Sequence, residues 1–268
     1  MSTRLRASSL PDLLDCPARW EAVHLLGRRK ESSSRAILGQ CIHDATAFYD
    51  TETGLLQHNA DTALAASVER FHEKFSSRKS EWKSDKKNTL PFSKADKIGH
   101  QLVTLYALEI SPNFHWSAVE LTFQDYPVQV GSHVLLLTGT CDRIYQTPAG
   151  HGLLDLKSGK SRVSSDGEVK VAGDKPQLGI YELLAESKLG LPITEPALVA
   201  GLDTEKGTAA ISEPIPGARD LVAGTAERPG LLQAVASYLE SGIFPPNPKS
   251  QLCSEQYCSN YAHCLAHN

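Results

Sequence analysis

The chain has 268 residues, 41% of them hydrophobic and 22% charged, and a formal net charge of −4; this is the composition of an ordinary globular protein long enough to bury a full core. No apolar run approaches the ~20 residues that a membrane helix needs, and the opening Met-Ser-Thr-Arg-Leu-Arg lacks the apolar centre of a secretion signal. The expectation is a cytoplasmic protein with no membrane partner, whose negative balance argues against coating nucleic acid and whose six cysteines read as thiols rather than three disulfides.

Ser8 and Ser9 ahead of Pro11 mark the start of a helix that runs to about Leu25. A polar loop over residues 27–34 leads to a second helix over 35–49, which carries His43. Leu64, Val68, Phe71 and Phe75 recur at helical spacing within residues 60–75. The Lys- and Ser-rich stretch 76–88 reads as a loop, and another helix spans 92–110 before Pro112. Strands follow over 116–123, 126–130, 134–145 and 152–156, then a polar connection over 159–174. Residues 175–188 read as a helix, 197–202 and 208–212 as closing strands, and 229–241 as a last helix before a Pro-rich tail. The sum is an α/β fold with a central mixed sheet flanked by helices. It is read as one domain over 1–268, with a helical insertion at about 50–112 and a cysteine-bearing tail at 245–268.

Charge along this frame is uneven. Residues 70–97 hold nine basic side chains against four acidic ones, a local patch able to steer a polyanion, or a solvated helical face. Cys41 and Cys141 lie in apolar surroundings and read as buried thiols, whereas Cys253, Cys258 and Cys264 cluster in the tail.

The most informative chemistry lies in one hairpin. Thr147-Pro-Ala-Gly-His-Gly is a turn signal between two apolar strands. Folding about Pro148 and Ala149 sets residue 142 opposite residue 155, which brings two carboxylates to within ~5 Å at Cβ. Asp155 and Lys157 share a strand face. An acidic pair beside an ammonium is costly unless a cation sits there. Asp155 lies in the apolar run Leu153-Leu-Asp-Leu, where an unpaired carboxylate is expensive; Asp142 has the alternative of a surface pair with Arg143. Rival chemistries fail on spacing: Ser158-Gly-Lys-Ser lacks the earlier Gly of a phosphate loop, and no Gly-x-Ser-x-Gly elbow is present.

Asp142 followed by Asp155-x-Lys157 resembles the PD-(D/E)xK nucleases, and further pieces are similar to their RecB-type branch. These are Ser8 with Cys16-Pro near the N-terminus, Gly39-x-x-x-His43, Gln177-x-x-x-Tyr181, and the cysteines Cys253, Cys258 and Cys264. The resemblance implies a restriction-endonuclease-like sheet with an N-terminal helical block. It also implies a Mg2+ or Mn2+ site from His43, Asp142, Asp155 and the carbonyl of Leu156, with Lys157 positioning the attacking water. Glu120 is a further candidate acid, or a solvent-facing one. Gln177 and Tyr181, four apart on a helix, would contact the strand or the lysine; the blander reading is a surface amide and a half-buried phenol. For His43 the blander reading is a core or cap histidine.

In that branch Cys16, Cys253, Cys258 and Cys264 would hold a 4Fe–4S cluster joining the two ends. A spacing of four between the first late cysteines departs from the usual two, so zinc, with His263 able to substitute as a nitrogen ligand, stands second and free thiols third. The implied activity is a metal-dependent DNA nuclease, an exonuclease on single strands or ends in recombination, repair or replication, with a helicase or recombination partner. The alternatives are a DNA-end-binding adaptor and a zinc-stabilised interaction protein.

Overall fold

The structure is a computed structural model describing residues 2–31, 33–83, 90–190 and 192–267. The N-terminus differs from expectation. It opens with a strand, β1 (Ser2–Arg6), and the expected helix is two, α1 (Leu10–Asp15) and α2 (Pro17–His24). Cys16 between them is extended at φ −150, ψ 94, because the ring of Pro17 disfavours the helical region for the residue before it. Next come α3 (Ser34–Asp50), continued by a π-helical turn at Thr51–Leu55, then α4 (Ala60–Ser77) and α5 (Phe92–Leu105).

The strands are β2 (His115–Val130), β3 (His133–Thr147), β4 (Gly150–Gly159), β5 (Leu198–Asp203) and β6 (Thr208–Ile211). The two strands expected within 116–130 are one irregular strand, with register shifts at Trp116/Ala118 and Phe123/Tyr126. Helix α6 (Lys175–Leu189) precedes β5, while α7 (Ala218–Ala223) and α8 (Leu231–Ser241) close the chain ahead of the tail.

Sheet order is β1-β3-β4-β5-β6, with β2 also paired to β3. β1–β3 and β4–β5 are parallel, and β2–β3, β3–β4 and β5–β6 antiparallel. This is a central mixed sheet flanked by helices, as in restriction-endonuclease-like folds. On one face α1, α2, α6, α7 and α8 pack over Leu135, Leu137, Leu153 and Val199; on the other α3, α4 and α5 pack over Leu154, Leu156, Ala200 and Leu202. β4 is therefore buried on both faces, which explains its continuous apolar run.

One topological detail makes the site. β2 occupies one edge of β3 for nearly its whole length, so β1 and β4 must share the other. β1 pairs with residues 134–138 of β3 and β4 with residues 143–147. Between them residues 139–142 have no strand partner on that edge. Beyond Leu154, β4 leaves β3 and runs on beside β5. The sheet forks there, and the fork opens at Asp142 and Asp155.

Candidate active site

The β3–β4 hairpin turns through Pro148 and Ala149, with Thr147 paired to Gly150 and Arg143 to Leu154. Asp142 and Asp155 are the next residues along each strand, at the fork. Because the strands part here, the Leu156 amide is free of the ladder and donates to Asp142 Oδ2 at 2.7 Å. Asp155 is buried, and the Lys157 ammonium lies 2.6 Å from its Oδ2. That contact lies off the line a hydrogen bond needs, so Oδ2 is ion-paired yet lacks a directed donor.

Helix α6 covers this pair. Lys157 donates to Gln177 Oε1 at 3.0 Å, and Gln177 Nε2 points to Asp155 Oδ1 (3.4 Å) and to the Tyr181 hydroxyl (2.9 Å). One amide thus bridges lysine, carboxylate and phenol. From the other face α3 brings His43, whose Nδ1 is 3.8 Å from Asp142 Oδ2. One turn earlier is Gly39, where a Cβ would lie 2.3 Å from Ser158 Oγ; glycine there lets the helix approach β4 beside the lysine.

Glu120 stands across β3 from Asp142, since its neighbours Val119 and Leu121 pair with Arg143 and Cys141. Its φ of +51 is uncommon for a non-glycine residue and locally strained. All these side chains line one open cleft of about 790 Å³, with Leu156 in its wall.

The electrostatics are those of crowded carboxylates. Burial pushes Asp142 and Asp155 up from the ordinary range; for Asp155 the Lys157 charge opposes this and the Asp142 charge adds to it. Burial works against the Lys157 charge, but the two aspartates outweigh it and hold the ammonium protonated. Burial carries His43 down to about 4, so the imidazole is neutral near pH 7 and free to ligate. Glu120 is pushed up to about 7 by burial and then by Asp142.

Hard oxygen donors short of positive charge, beside a neutral imidazole, fit a hard divalent cation. Among the described residues no group of three or more His, Cys, Asp and Glu is arranged to hold a metal by itself. A cation here would draw on Asp142 and Asp155 and complete its shell with main-chain oxygen, water or substrate.

Sequence reasoning missed what lies beneath. Arg143 is no surface partner for the Asp142 carboxylate. It is wholly buried, donates to Asp50 Oδ2 at 2.5 Å, and reaches Glu120 Oε1 at 3.2 Å and the Asp142 carbonyl at 2.8 Å. Asp50, itself 0% exposed, also accepts from Tyr106 and Ser111. The available signal was Arg143 inside the run Cys141 to Tyr145, and Asp50 directly after the apolar run Ala45 to Tyr49.

The tail folds back on α1 and α2. Ala18 donates to the Pro245 carbonyl, Asn247 Nδ2 to the Asp15 carbonyl at 2.8 Å, and Ser250 Oγ to Asp15 Oδ2 at 2.6 Å. Cys16, Cys253, Cys258 and Cys264 line one small cavity, all as free thiols. Burial first, then Cys258, Cys16 and Cys264, push the Cys253 thiol up, which marks the four sulfurs as electrostatic neighbours. The imidazole against Cys253 is His267, 3.1 Å from Sγ; His263, the residue expected there, does not line the cavity.

No curated protein matches the sequence. Among solved structures, the one described as the crystal structure of SSO0001 is similar over 99% of this chain and 87% of that one, with 13% identity and a TM-score of 0.44. The sequence profile described as the PD-(D/E)XK nuclease superfamily matches residues 4–264. Nearly the whole chain, including the forked hairpin, Cys16 and the three tail cysteines, lies within that match, and the protein belongs to the PD-(D/E)XK nuclease superfamily.

Proposed function

We propose that this protein is a metal-dependent deoxyribonuclease that hydrolyses phosphodiester bonds at the β3–β4 fork, as an exonuclease on single strands or DNA ends in recombination, repair or replication. The observation that carries the reading is Asp155: a carboxylate 2% exposed, with one oxygen lacking a directed donor, beside Asp142 and Lys157. Nucleases of this superfamily typically use Mg2+ or Mn2+. Asp142, Asp155, His43 and the Leu156 carbonyl would hold it, and the ion would neutralise the phosphate and activate water.

The chain's own groups supply the rest. Lys157, held charged by the aspartates, orients water and offsets charge building on the scissile phosphate. Gln177 fixes the Lys157 ammonium at 3.0 Å and is itself fixed by Tyr181, so α6 sets the direction of the lysine. Glu120, partly proton-bearing near neutrality, is placed to hold a second ion or to take a proton. The tail cavity fits thiolate ligation, and we assign it a 4Fe–4S cluster, with zinc through Cys253, Cys258, Cys264 and His267 as the alternative. The chain is read as one nuclease unit working with a helicase or recombination partner.

The test is cleavage of end-labelled single- and double-stranded DNA with Mg2+ or Mn2+. Asp142→Ala, Asp155→Ala and Lys157→Ala should each abolish cleavage while leaving the fold and DNA binding in place. Wild-type cleavage by Asp155→Ala would end the nuclease assignment.

A further inference from the structure

A second open groove adjoins the catalytic cleft, and Arg6, Ser8 and Thr140 line both. Its floor is β1, where Arg4 and Arg6 project from one face while Leu5 between them is buried in the core, as strand alternation requires. Arg29 and Lys30, just after α2, form a second cationic side. The far wall belongs to the cysteine-bearing tail, through Tyr257 and Ser259. Lys30 donates to the Glu255 carbonyl and Arg28 to Asn260 at 2.7 Å, which ties this side to the tail.

The charges here are mostly uncompensated. Among the described residues no carboxylate pairs with Arg6 or Arg29, while Arg4 pairs with Asp125. The groove's one acid, Asp12, is held by Arg19 at 3.0 Å. The basic stretch at 70–97 is different. Arg70 and Lys74 pair with Asp44, Arg78 with Glu81 and Lys83 with Glu31; Lys86 and Lys87 lie outside the described residues. Of the cations lining this groove, Arg6 of β1 and Arg29 and Lys30 of the α2 exit have no carboxylate partner among the described residues.

We propose that this groove carries the single-stranded segment of nucleic acid leading to the scissile phosphate, with Arg4, Arg6, Arg29 and Lys30 on its phosphates and the Tyr257 ring stacked on a base. The proposal rests on the nuclease reading of the fork. Tyr257 is 55% exposed on the wall of a cationic groove, and an aromatic ring so placed can meet a base face only where bases are unpaired. Stacking platforms along an electrostatic track are how single strands are held without regard to sequence. The tail then serves as part of the substrate track, and whatever fixes the tail to α1 and α2 fixes the spacing of that track.

The experiment uses the full chain with fluorescein-labelled oligothymidylates of about 4 and about 16 nucleotides, bracketing the usual reach of a single-strand site. Binding of the longer strand is followed in EDTA across a salt series, and kcat/KM on the shorter strand with Mg2+. Arg29→Ala/Lys30→Ala should weaken the 16-mer about tenfold or more and lower the slope of log affinity against log salt by about 1.4, at ~0.7 for each phosphate contact. Tyr257→Ala should weaken the 16-mer about fivefold to a hundredfold with the salt slope unchanged, and Tyr257→Phe should bind as the wild type. For Arg29→Ala/Lys30→Ala and Tyr257→Ala, the loss of kcat/KM on the 4-mer should be smaller than the loss of affinity for the 16-mer. Unchanged 16-mer affinity and slope would overturn the groove. Tighter binding of a 16-base-pair duplex with the same variant sensitivity would overturn its single-strand assignment. Failure of the wild type to cleave either strand would instead strike the nuclease reading, since the EDTA arm does not depend on chemistry.

Discussion

A guanidinium with no solvent exposure has to be matched by its surroundings, and Arg143 is matched by Asp50, Glu120, Thr46 and a main-chain carbonyl. The cluster joins α3, β2 and β3 directly under Asp142. Deleting one member strands a buried charge, which costs about 3–5 kcal/mol, whereas exchanging both for apolar groups of similar volume is often neutral. Arg143→Ala should therefore lose about 3–5 kcal/mol in urea unfolding, and Arg143→Met/Asp50→Leu should recover most of it. Cleavage should stay impaired in the recovered double variant, because Glu120 and the Asp142 main chain have lost the donor that orients them. Full activity there would reduce the cluster to a packing device.

At the scale of elements, α6 governs the site because Gln177 and Tyr181 ride on one of its faces. Its position is set from behind by Gly179, where a Cβ would come within 2.1 Å of the Ala218 carbonyl and 2.7 Å of Val222. The obstacle is backbone, so α7 or α6 must move. Gly179→Ala should lose about 1–3 kcal/mol of stability from overpacking, against a helix-propensity gain of about 1 kcal/mol. A displaced α6 carries the amide away from Lys157, so kcat should fall with KM little changed. A stabilised variant of normal kcat would show that α7 yields without α6. The readability of such elements from sequence varied for physical reasons. The hairpin register followed from a two-residue turn and alternating strands, and α6 from its apolar period. β1 was hidden because Ser-Thr-Arg-Leu-Arg buries only Leu5, and its pairing is parallel with a strand 130 residues away. The six residues of α7 are too few for a period to show. At the site, the residues named by motif meet in one cleft, while Asp50 and Arg143 escaped notice because their pairing spans 93 positions and no local pattern records it.

For the whole molecule, two apolar layers grip a sheet buried on both faces, but the tail beyond α8 has little apolar surface of its own. Leu265 is 86% exposed and Leu252 39%, so hydrogen bonds to α1 and α2, with the proposed joint at the four sulfurs, would have to hold it. Protein purified without oxygen should carry iron and sulfide with broad visible absorption, lost in Cys16→Ala but kept in Cys41→Ala and Cys141→Ala. Removal of the metal should lower Tm and expose the tail to protease before the rest of the chain. Colourless protein with one zinc would replace the cluster; protein with neither metal, and a Cys16→Ala variant of unchanged Tm, would leave the tail held by hydrogen bonds alone.

The meeting of Cys16 with Cys264 across one cavity has a consequence in time. Chains emerge from the ribosome in order, at about 5–20 residues per second, and about a hundred residues separate Lys157 from the last cysteine. The forked hairpin is thus synthesised about 5–20 seconds before the segment that walls its groove. During that interval the nascent chain has its carboxylates and lysine but no Tyr257 and no closed sulfur joint. If the groove carries the strand as proposed, the fork is made before the wall that completes its track, and the nascent chain would grip nucleic acid only once the segment bearing Tyr257 has folded back against the residues that follow α2.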